Sequence, residues 1–334
     1  MKLIHGTTDT SGFRGGFVSI GNFDGVHLGH KEIARKLVGR ARKAGTASIV
    51  MTFDPHPIQL LRPDEVPQQL STIEDRAGWL GELGVDVLVV APTTLEILSL
   101  EPHEFFSQVV CERFGASGLV EGEDFCFGRE RSGNIESLTR LCGDSGIGLD
   151  VVSVRTVGGE SVSSSRIRGL LQDGDVSGVG VLLGRNFSIR GCVEVGQRRG
   201  KQLDVPTANL GDIATVVPAD GVYVGGVEVE GRRLPAAINI GGNPTFGEPA
   251  RKVEVHLLAF EGDLYGQELV VEFYGRLRAT RRFESAEDLR RQLADDLESV
   301  WQYIEDHPSV AVSGPESGGG PQGETGRSGG DRVS

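Results

Sequence analysis

The chain has 334 residues, 38% of them hydrophobic, enough to bury a substantial core and to divide most naturally into two domains. Its formal net charge of −13 argues against a generic binder of nucleic-acid backbones, whose affinity comes from clustered Lys and Arg, so any phosphate must be held by a local site. The cysteines Cys111, Cys126, Cys142 and Cys192 show neither CxxC pairing nor metal-ligand spacing, which suits a reducing, cytoplasmic setting. The opening MKLIHGTTDTSGFRGG lacks the apolar core of a signal peptide, and no later stretch has the length of a membrane span. A soluble intracellular protein without nucleic-acid or membrane partners is expected.

Up to about residue 182, short apolar runs alternate with segments of helical period. FVSIGNF precedes a helix over 28–44, TASIVMTF one over 72–83, DVLVVAP one over 103–114, GLVEG one over 134–145 and LDVVSV one over 164–172. This rhythm predicts an α/β domain with a parallel sheet covered on both faces, whose ligands sit beyond the carboxyl ends of its strands. From about Leu183 the grammar changes: FSIRGCVEV, GVYVGGVEVEG, RLPAAINIG, KVEVHLLAF and ELVVEFYG follow one another with only Gly, Pro and Asp between them. That predicts an antiparallel β-barrel. A closing helix follows, with Ser285 as cap, Asp288 three residues on, and Leu289, Leu293, Leu297, Val300 and Ile304 at helical spacing. The expected division is 1–182, 183–307 and a Gly/Ser/Pro-rich tail over 308–334, which has too little apolar content to offset the entropy of ordering.

Several stretches carry chemistry. In GNFDGVHLGH, residues 21–30, His27 and His30 stand three apart where a strand gives way to a helix, whose unpaired first amides and dipole favour an anion. Imidazoles placed there can donate to phosphate oxygens. Gly25 and Gly29 allow close backbone approach, while Asn22 and Asp24 supply polar groups at the strand end. Taken alone, HxxH equally describes a capped surface helix, and as a zinc site it lacks a third ligand. Asp54, Pro55, His56 and Pro57 end a second strand in a stiff turn. Asp124 and Arg129 flank the run Phe125–Cys126–Phe127, either lining a slot for a flat ring or pairing in solvent. In VSSSRIR, Ser164 and Ser165 are placed to cap a helix and Arg168 reaches forward from its first turn, a set suited to β- and γ-phosphates. In the second half, Gly196, Arg198, Arg199, Gly200 and Lys201 form a cationic loop able to lie over phosphates. Thr207 and Asn209 place hard oxygen ligands on alternate positions, as magnesium prefers. Glu254 alternates with Val253, Val255 and Leu257, so it faces away from them together with His256.

GNFDGVHLGH resembles the HxGH signature of the nucleotidyltransferase superfamily, specifically its flavin-adenylating branch. TFDPHP (52–57), EGEDFCFGRERSGN (121–134) and VSSSRIR (162–168) follow in that branch's order. The stretch LLGRNFSIRGCVEVGQRRGKQLDVPTANL (182–210), and later VEVHLLAFEGDLYG and LRATRRF, resemble riboflavin kinases. Over roughly residues 15–305 the chain is identified as similar to the bifunctional riboflavin kinase/FAD synthetases. The resemblance implies a Rossmann-like nucleotidyltransferase domain that transfers AMP from ATP to FMN, and a riboflavin-kinase-like barrel that phosphorylates riboflavin. It implies catalytic roles for His27 and His30, with Glu254 as the kinase's general base. Nucleotide contacts would come from Gly21, Asn22, Phe23, Asp24, Gly29, Ser164, Ser165, Arg168, Gly200 and Lys201. Flavin contacts would come from Asp54, His56, Asp124, Phe125, Phe127 and Arg278, and Thr207 and Asn209 would hold Mg2+ with ATP. Some positions depart from the family pattern: Asp204 replaces a glycine, Ala259 and Thr280 replace acidic residues, Asn186 and Phe187 replace Pro-Tyr, and Cys126 replaces arginine. These departures leave open a paralogue with adenylyltransferase activity alone, a flavin-analogue substrate, or a non-catalytic flavin- or nucleotide-binding regulator.

Overall fold

Residues 1–6, 11–194, 207–243 and 248–308 are described by the computed structural model. The first unit is built on six parallel strands: β1 (Lys2–His5), β2 (Phe17–Ile20), β3 (Ser48–Asp54), β4 (Val87–Pro92), β5 (Gly118–Gly122) and β6 (Gly148–Val152). Their order across the sheet is β1-β4-β3-β2-β5-β6. The central strands read as unbroken apolar runs because both their faces are covered. Val18, Ile20, Ile49, Met51 and Val89 pack on one side, and Phe17, Val50, Leu88, Val90 and Val120 on the other. The edge strand β1 escaped the sequence reading, since four residues with a single buried side chain give no periodic signal.

The helices are α1 (Leu28–Ala44), α2 (Pro57–Leu61), α3 (Ile73–Glu82), α4 (Leu95–Ser99), α5 (Pro102–Phe105), α6 (Ile135–Ser145), α7 (Ser164–Asp173) and α8 (Val176–Leu183). The helix expected over 103–114 is α5 running into a wider π-helix at Phe106–Arg113. After β4 the chain crosses to the far side of β2, so the connections of β2 and β5 leave in opposite directions. A crevice therefore opens at the carboxyl ends of these two strands.

A small hairpin, β7 (Thr156–Val157) and β8 (Glu160–Ser161), precedes α7. The second unit is a closed antiparallel barrel of β9 (Phe187–Glu194), β10 (Ala208–Gly211), β11 (Gly221–Val229), β12 (Arg232–Asn243), β13 (Glu248–Leu257) and β14 (Glu268–Arg278). The sixth strand is β10, the end of the PTANL stretch, too short to show alternation in the sequence. Inside the barrel, Tyr223 meets Phe273 edge-on with ring centroids 5.5 Å apart, and Phe187 joins them. Phe187 is a buried core ring, and Asn186 donates to Glu272 at 3.0 Å, so both departures from Pro-Tyr are accommodated. The same apolar cluster continues into Ile167 and Leu171 of α7, into Val176, Val179, Leu182 and Leu183 of α8, and on to Leu70.

Outside the barrel lies α9 (Ala286–Asp306), where the Ser285 side chain accepts from Asp288 N at 3.1 Å as the capping pattern implied. Val300 and Ile304 pack against Val224, Leu258 and Tyr274. Arg278, expected to touch flavin, grips Asp296 of this helix with both prongs at 2.8 and 2.6 Å. A guanidinium held by a buried carboxylate is a structural tie between β14 and α9. Among the described residues, no helix is long and apolar enough to cross a membrane. The tail from residue 309, and Gly200, Lys201 and Asp204, lie outside the described residues.

Asp296→Ala leaves the Arg278 charge without its partner and should destabilise the protein by about 3 kcal/mol, read as a lower urea midpoint. The double replacement Arg278→Met with Asp296→Leu should cost less than Asp296→Ala alone, because it removes both charges together.

Candidate functional site

Asp24, in the loop between β2 and α1, is 3% exposed, and its carboxylate is saturated from within the protein. It accepts from Leu70 N at 3.0 Å, from Ser71 N at 3.1 Å and from Ser71 Oγ at 2.9 Å. Two cations complete the set, Arg76 of α3 at 3.2 Å and Arg168 of α7 at 2.5 Å. Ser71 Oγ also accepts from Gly25 N at 2.8 Å and from Arg76 Nε at 3.0 Å. Asp24, expected to contact nucleotide, organises the loop through these partners. Burial lowers the Arg76 pKa, against the opposing pull of Asp24 and Asp54.

This hub brings two helix N-termini to one loop. Three residues past Asp24, His27 caps α1, its Nδ1 accepting from His30 N at 3.3 Å. Ser164 Oγ donates to Asp24 O at 3.0 Å, placing the start of α7 beside the same loop. The cap of α7 is Ser163, accepting from Arg166 N at 3.2 Å, so Ser164 and Ser165 are first-turn residues and not the cap expected of them. Arg168 Nε donates to Gln68 O at 2.7 Å and Nη2 to Asp24, while Nη1 has no partner among the described residues. First-turn amides of two helices and the remaining edge of the Arg168 guanidinium are the kinds of donor that can hold an anion.

The imidazoles of His27 and His30 stack with centroids 3.7 Å apart and planes 15° from parallel. Burial pulls His27 from 6.5 down to about 4, opposed by Asp24 and reinforced by Arg185. His30 falls well below 6.5 through burial, then through His27 and Arg76. Both rings are therefore neutral at pH 7. In His27, Nδ1 accepts, so the proton sits on Nε2, which becomes a donor. His30 Nδ1 is buried without a partner among the described residues. Gly29 lies close to this stack: a Cβ there would sit 3.2 Å from the His27 ring, tighter than ordinary contact. Phe23, expected at the nucleotide, is a buried ring 4.9 Å from His30 and forms its floor. Gly21 N donates to Met51 O at 3.0 Å, tying the loop's first residue to β3.

At the end of β3, His56 caps α2 through Nδ1, and its Nε2 lies 2.8 Å from the Asn22 amide. Asn22 O accepts from Thr52 Oγ1 at 3.0 Å and from Arg76 at 3.2 Å, while Asp54 is exposed. Beyond β5, Asp124 is exposed and Phe125 half-buried. Phe127, 5% exposed, packs between Phe105 and Phe125. Arg129 pairs with Glu101 at 2.6 Å rather than with Asp124. Cys126 Sγ lies 3.6 Å from Asp124 O. The sequence reading missed Ser71, Arg76 and Glu121. Glu121 is buried at the end of β5, accepts from Ile20 N at 2.8 Å, and is pushed well above the usual carboxylate range by burial. An acid inside the apolar run GLVEG was its only signal.

In the barrel, Val253, Val255 and Leu257 face the core while Glu254 and His256 are half-buried on the other face. The strand registers set Asn209 opposite Glu254 and Glu254 opposite Asn239, in one row across β10, β13 and β12. Asn239 Nδ2 donates to Glu254 Oε2 at 3.3 Å. Thr207 is half-buried just before β10, and Glu194 pairs with Asn209 from the other side. Thr207, Asn209 and Glu254 each carry a hard oxygen, the ligand type that fits a magnesium ion.

The neutral imidazoles give stability a definite pH dependence. In the unfolded chain His27 takes a proton as pH falls through 6.5, whereas the folded protein refuses it until about 4, so stability is lost as pH falls across that window. The His27 shift corresponds to a loss on the order of 3 kcal/mol, and His30 adds to it in the same direction. Urea unfolding at a series of pH values should show this decline, and His30→Gln should flatten it.

The FAD synthetase family profile matches residues 10–166, and the riboflavin kinase profile matches 183–304. A bifunctional riboflavin kinase/FMN adenylyltransferase from Pseudomonas fluorescens is 36% identical over 89% of this chain and 96% of its own length. One of the same name from Bacillus subtilis is 35% identical over 86% of this chain and 92% of its own. A crystal structure described as a macrolide-efflux protein from Streptococcus pneumoniae superposes with a TM-score of 0.82 at 31% identity, covering 90% of this chain and 99% of that one. With the two profiles in the same order as the α/β unit and the barrel, this chain belongs to the bifunctional riboflavin kinase/FMN adenylyltransferase family.

Proposed function

We propose that the chain makes FMN and then FAD in two ATP-dependent steps at separate sites. The observation that carries the first site is the convergence of two helix N-termini, at His27 and Ser164, on the loop held by Asp24. An oxygen of the FMN phosphate attacks the α-phosphorus of ATP, the bond to the β-phosphate breaks, and pyrophosphate leaves. His27 Nε2–H, the amides of Ser164 and Ser165, and Arg168 Nη1 stabilise the charge that grows on the phosphates. Neutral imidazoles suit this role, since they donate without a proton having to be taken up first. Asn22, Asp54, His56, Asp124 and Phe125 sit around the crevice between β2 and β5, where the flavin end of FMN would lie.

At the barrel, Glu254 takes the proton of the ribityl 5′-hydroxyl as that oxygen attacks the γ-phosphorus of ATP, giving FMN and ADP. Asn239 orients the carboxylate from the neighbouring strand. Thr207 and Asn209 would hold Mg2+, which when bound offsets phosphate charge. Gly200 and Lys201 are assigned to the ATP phosphates by sequence alone. A cytoplasmic setting agrees with four free cysteines, Cys111, Cys126, Cys142 and Cys192. The proposed unit boundary falls at the end of α8, with the adenylylating unit over 1–182 and the kinase unit over 183–307. The curated relatives carry both activities in their names, so nothing favours a single-activity or silent reading.

Purified protein with Mg-ATP and riboflavin should yield FMN and FAD, and with FMN should yield FAD, on chromatographic separation. His30→Ala should lower FAD formation by about a hundredfold or more while sparing FMN formation. Glu254→Ala should lower riboflavin phosphorylation by about 10²- to 10⁴-fold and leave FAD formation from supplied FMN intact. Parallel loss of both activities in either variant contradicts the two-site division.

A further inference from the structure

The loop that delivers His27 is held in an unfavourable backbone. Phe23, Gly25 and Val26 all have positive φ, at 49°, 78° and 39°. For a β-branched residue such as Val26 this region is sterically costly and persists only where the surroundings over-determine it. Part of the restraint comes from within the first unit, as Gly25 N donates to Ser71 Oγ at 2.8 Å and Val26 N to Phe23 O at 3.1 Å. The carbonyls are restrained from elsewhere. Arg185, two residues before the first barrel strand, donates from Nη2 to Gly25 O at 2.6 Å and from Nη1 to Val26 O at 3.2 Å. Its guanidinium lies over the Trp79 ring of α3, 3.4 Å from the centroid. Nearby, Lys31 of α1 donates to Gly184 O at 3.2 Å.

We propose that Arg185 is a positioning residue for adenylyl transfer: carried by the segment that leads into the barrel, it clamps the Gly25 and Val26 carbonyls and so holds His27 and the start of α1 in register with the nucleotide. This rests on the function proposed above and extends it, because the clamp comes from outside residues 10–166, the span matched by the FAD synthetase profile. A trans peptide directs its C=O and N–H to opposite edges. Pinning Val26 O on Arg185 therefore turns the His27 N–H away from the guanidinium. It also keeps two carbonyl oxygens from turning toward phosphate oxygens, which they would repel. The stack on Trp79 fixes the plane of the guanidinium, so both prongs are aligned before ATP arrives. Burial lowers the Arg185 pKa to about 10, against Asp75 and Glu82, and leaves the group cationic at neutral pH. A lysine could reach one carbonyl but could not bridge two while lying flat on the indole.

Full-length variants assayed with Mg-ATP, using FMN for one reaction and riboflavin for the other, test the clamp. Arg185→Ala should lower kcat for FAD formation at least tenfold, with KM for FMN within threefold because the flavin is not touched. Arg185→Lys should show a similar loss, and it carries the test should the alanine variant fail to fold. Riboflavin phosphorylation should stay within twofold of the parent in both. Arg190→Ala is the control for a loosened interface: it removes the 3.1 Å pair between β9 and Asp75 of α3 without touching the loop carbonyls, and should keep FAD formation within twofold. FAD formation by Arg185→Ala within threefold of the parent overturns the clamp alone. So does an equal loss in Arg190→Ala, or a parallel fall in phosphorylation, since either would make Arg185 a support of the fold. A parent protein that makes no FAD from FMN overturns the proposed function itself, and the clamp with it.

Discussion

A carboxylate removed from water must be given partners, and Asp24 obtains its own from three separate stretches of chain. The amides of Leu70 and Ser71, the Ser71 hydroxyl and the guanidinium groups of Arg76 and Arg168 all converge on it. A single buried ion with hydrogen bonds to every lone-pair direction fixes geometry, because each partner lost leaves a desolvated charge behind. That constraint sets the spacing between the first turn of α1 and the first turn of α7. The site described above is the space left between them.

The site handles anions with little formal positive charge of its own. Two imidazolium ions 3.7 Å apart would repel, and burial keeps both rings neutral. The positive potential comes instead from helix N-termini and from guanidinium groups already engaged with Asp24. Such a site suits a chain with a net charge of −13, since attraction is confined to oriented donors and is not spread over the surface.

How much of this was legible in the sequence depends on the range of the interaction. Runs such as SIVMT and LVVA announce buried parallel strands because no position on them faces water. The alternation VEVHL likewise placed Glu254 on the face opposite the barrel core, as its half-buried state shows. Motif position did not show that the rings of Phe23 and Phe127 are buried, because a motif carries no signal for which way an aromatic side chain turns. Three consecutive serines left a one-residue ambiguity that only backbone angles resolve, in favour of Ser163 as the cap. Arg76 and Ser71 were invisible for another reason. Their partner Asp24 lies 52 and 47 residues away, and pairing at that distance has no local pattern.

The first family profile ends at 166 and the second begins at 183, yet the residues between them contribute Ile167, Leu171, Val176, Val179 and Leu182 to the barrel's apolar cluster. Helix α7, about 15 Å long for its ten residues, runs from one unit to the other. Its N-terminus meets Asp24 through Ser164, and near its C-terminus Arg276 of the barrel donates to Asp173 O at 3.0 Å. A cation at that end complements the helix dipole, just as phosphate would at the other. Along its length Ile167 and Leu171 lie in the apolar cluster that fills the barrel. Two ends fixed by polar contacts and a side buried in common core leave the helix little freedom to shift alone. The anion site and the barrel are therefore set by one rigid element, and the division between the two activities is chemical more than it is mechanical.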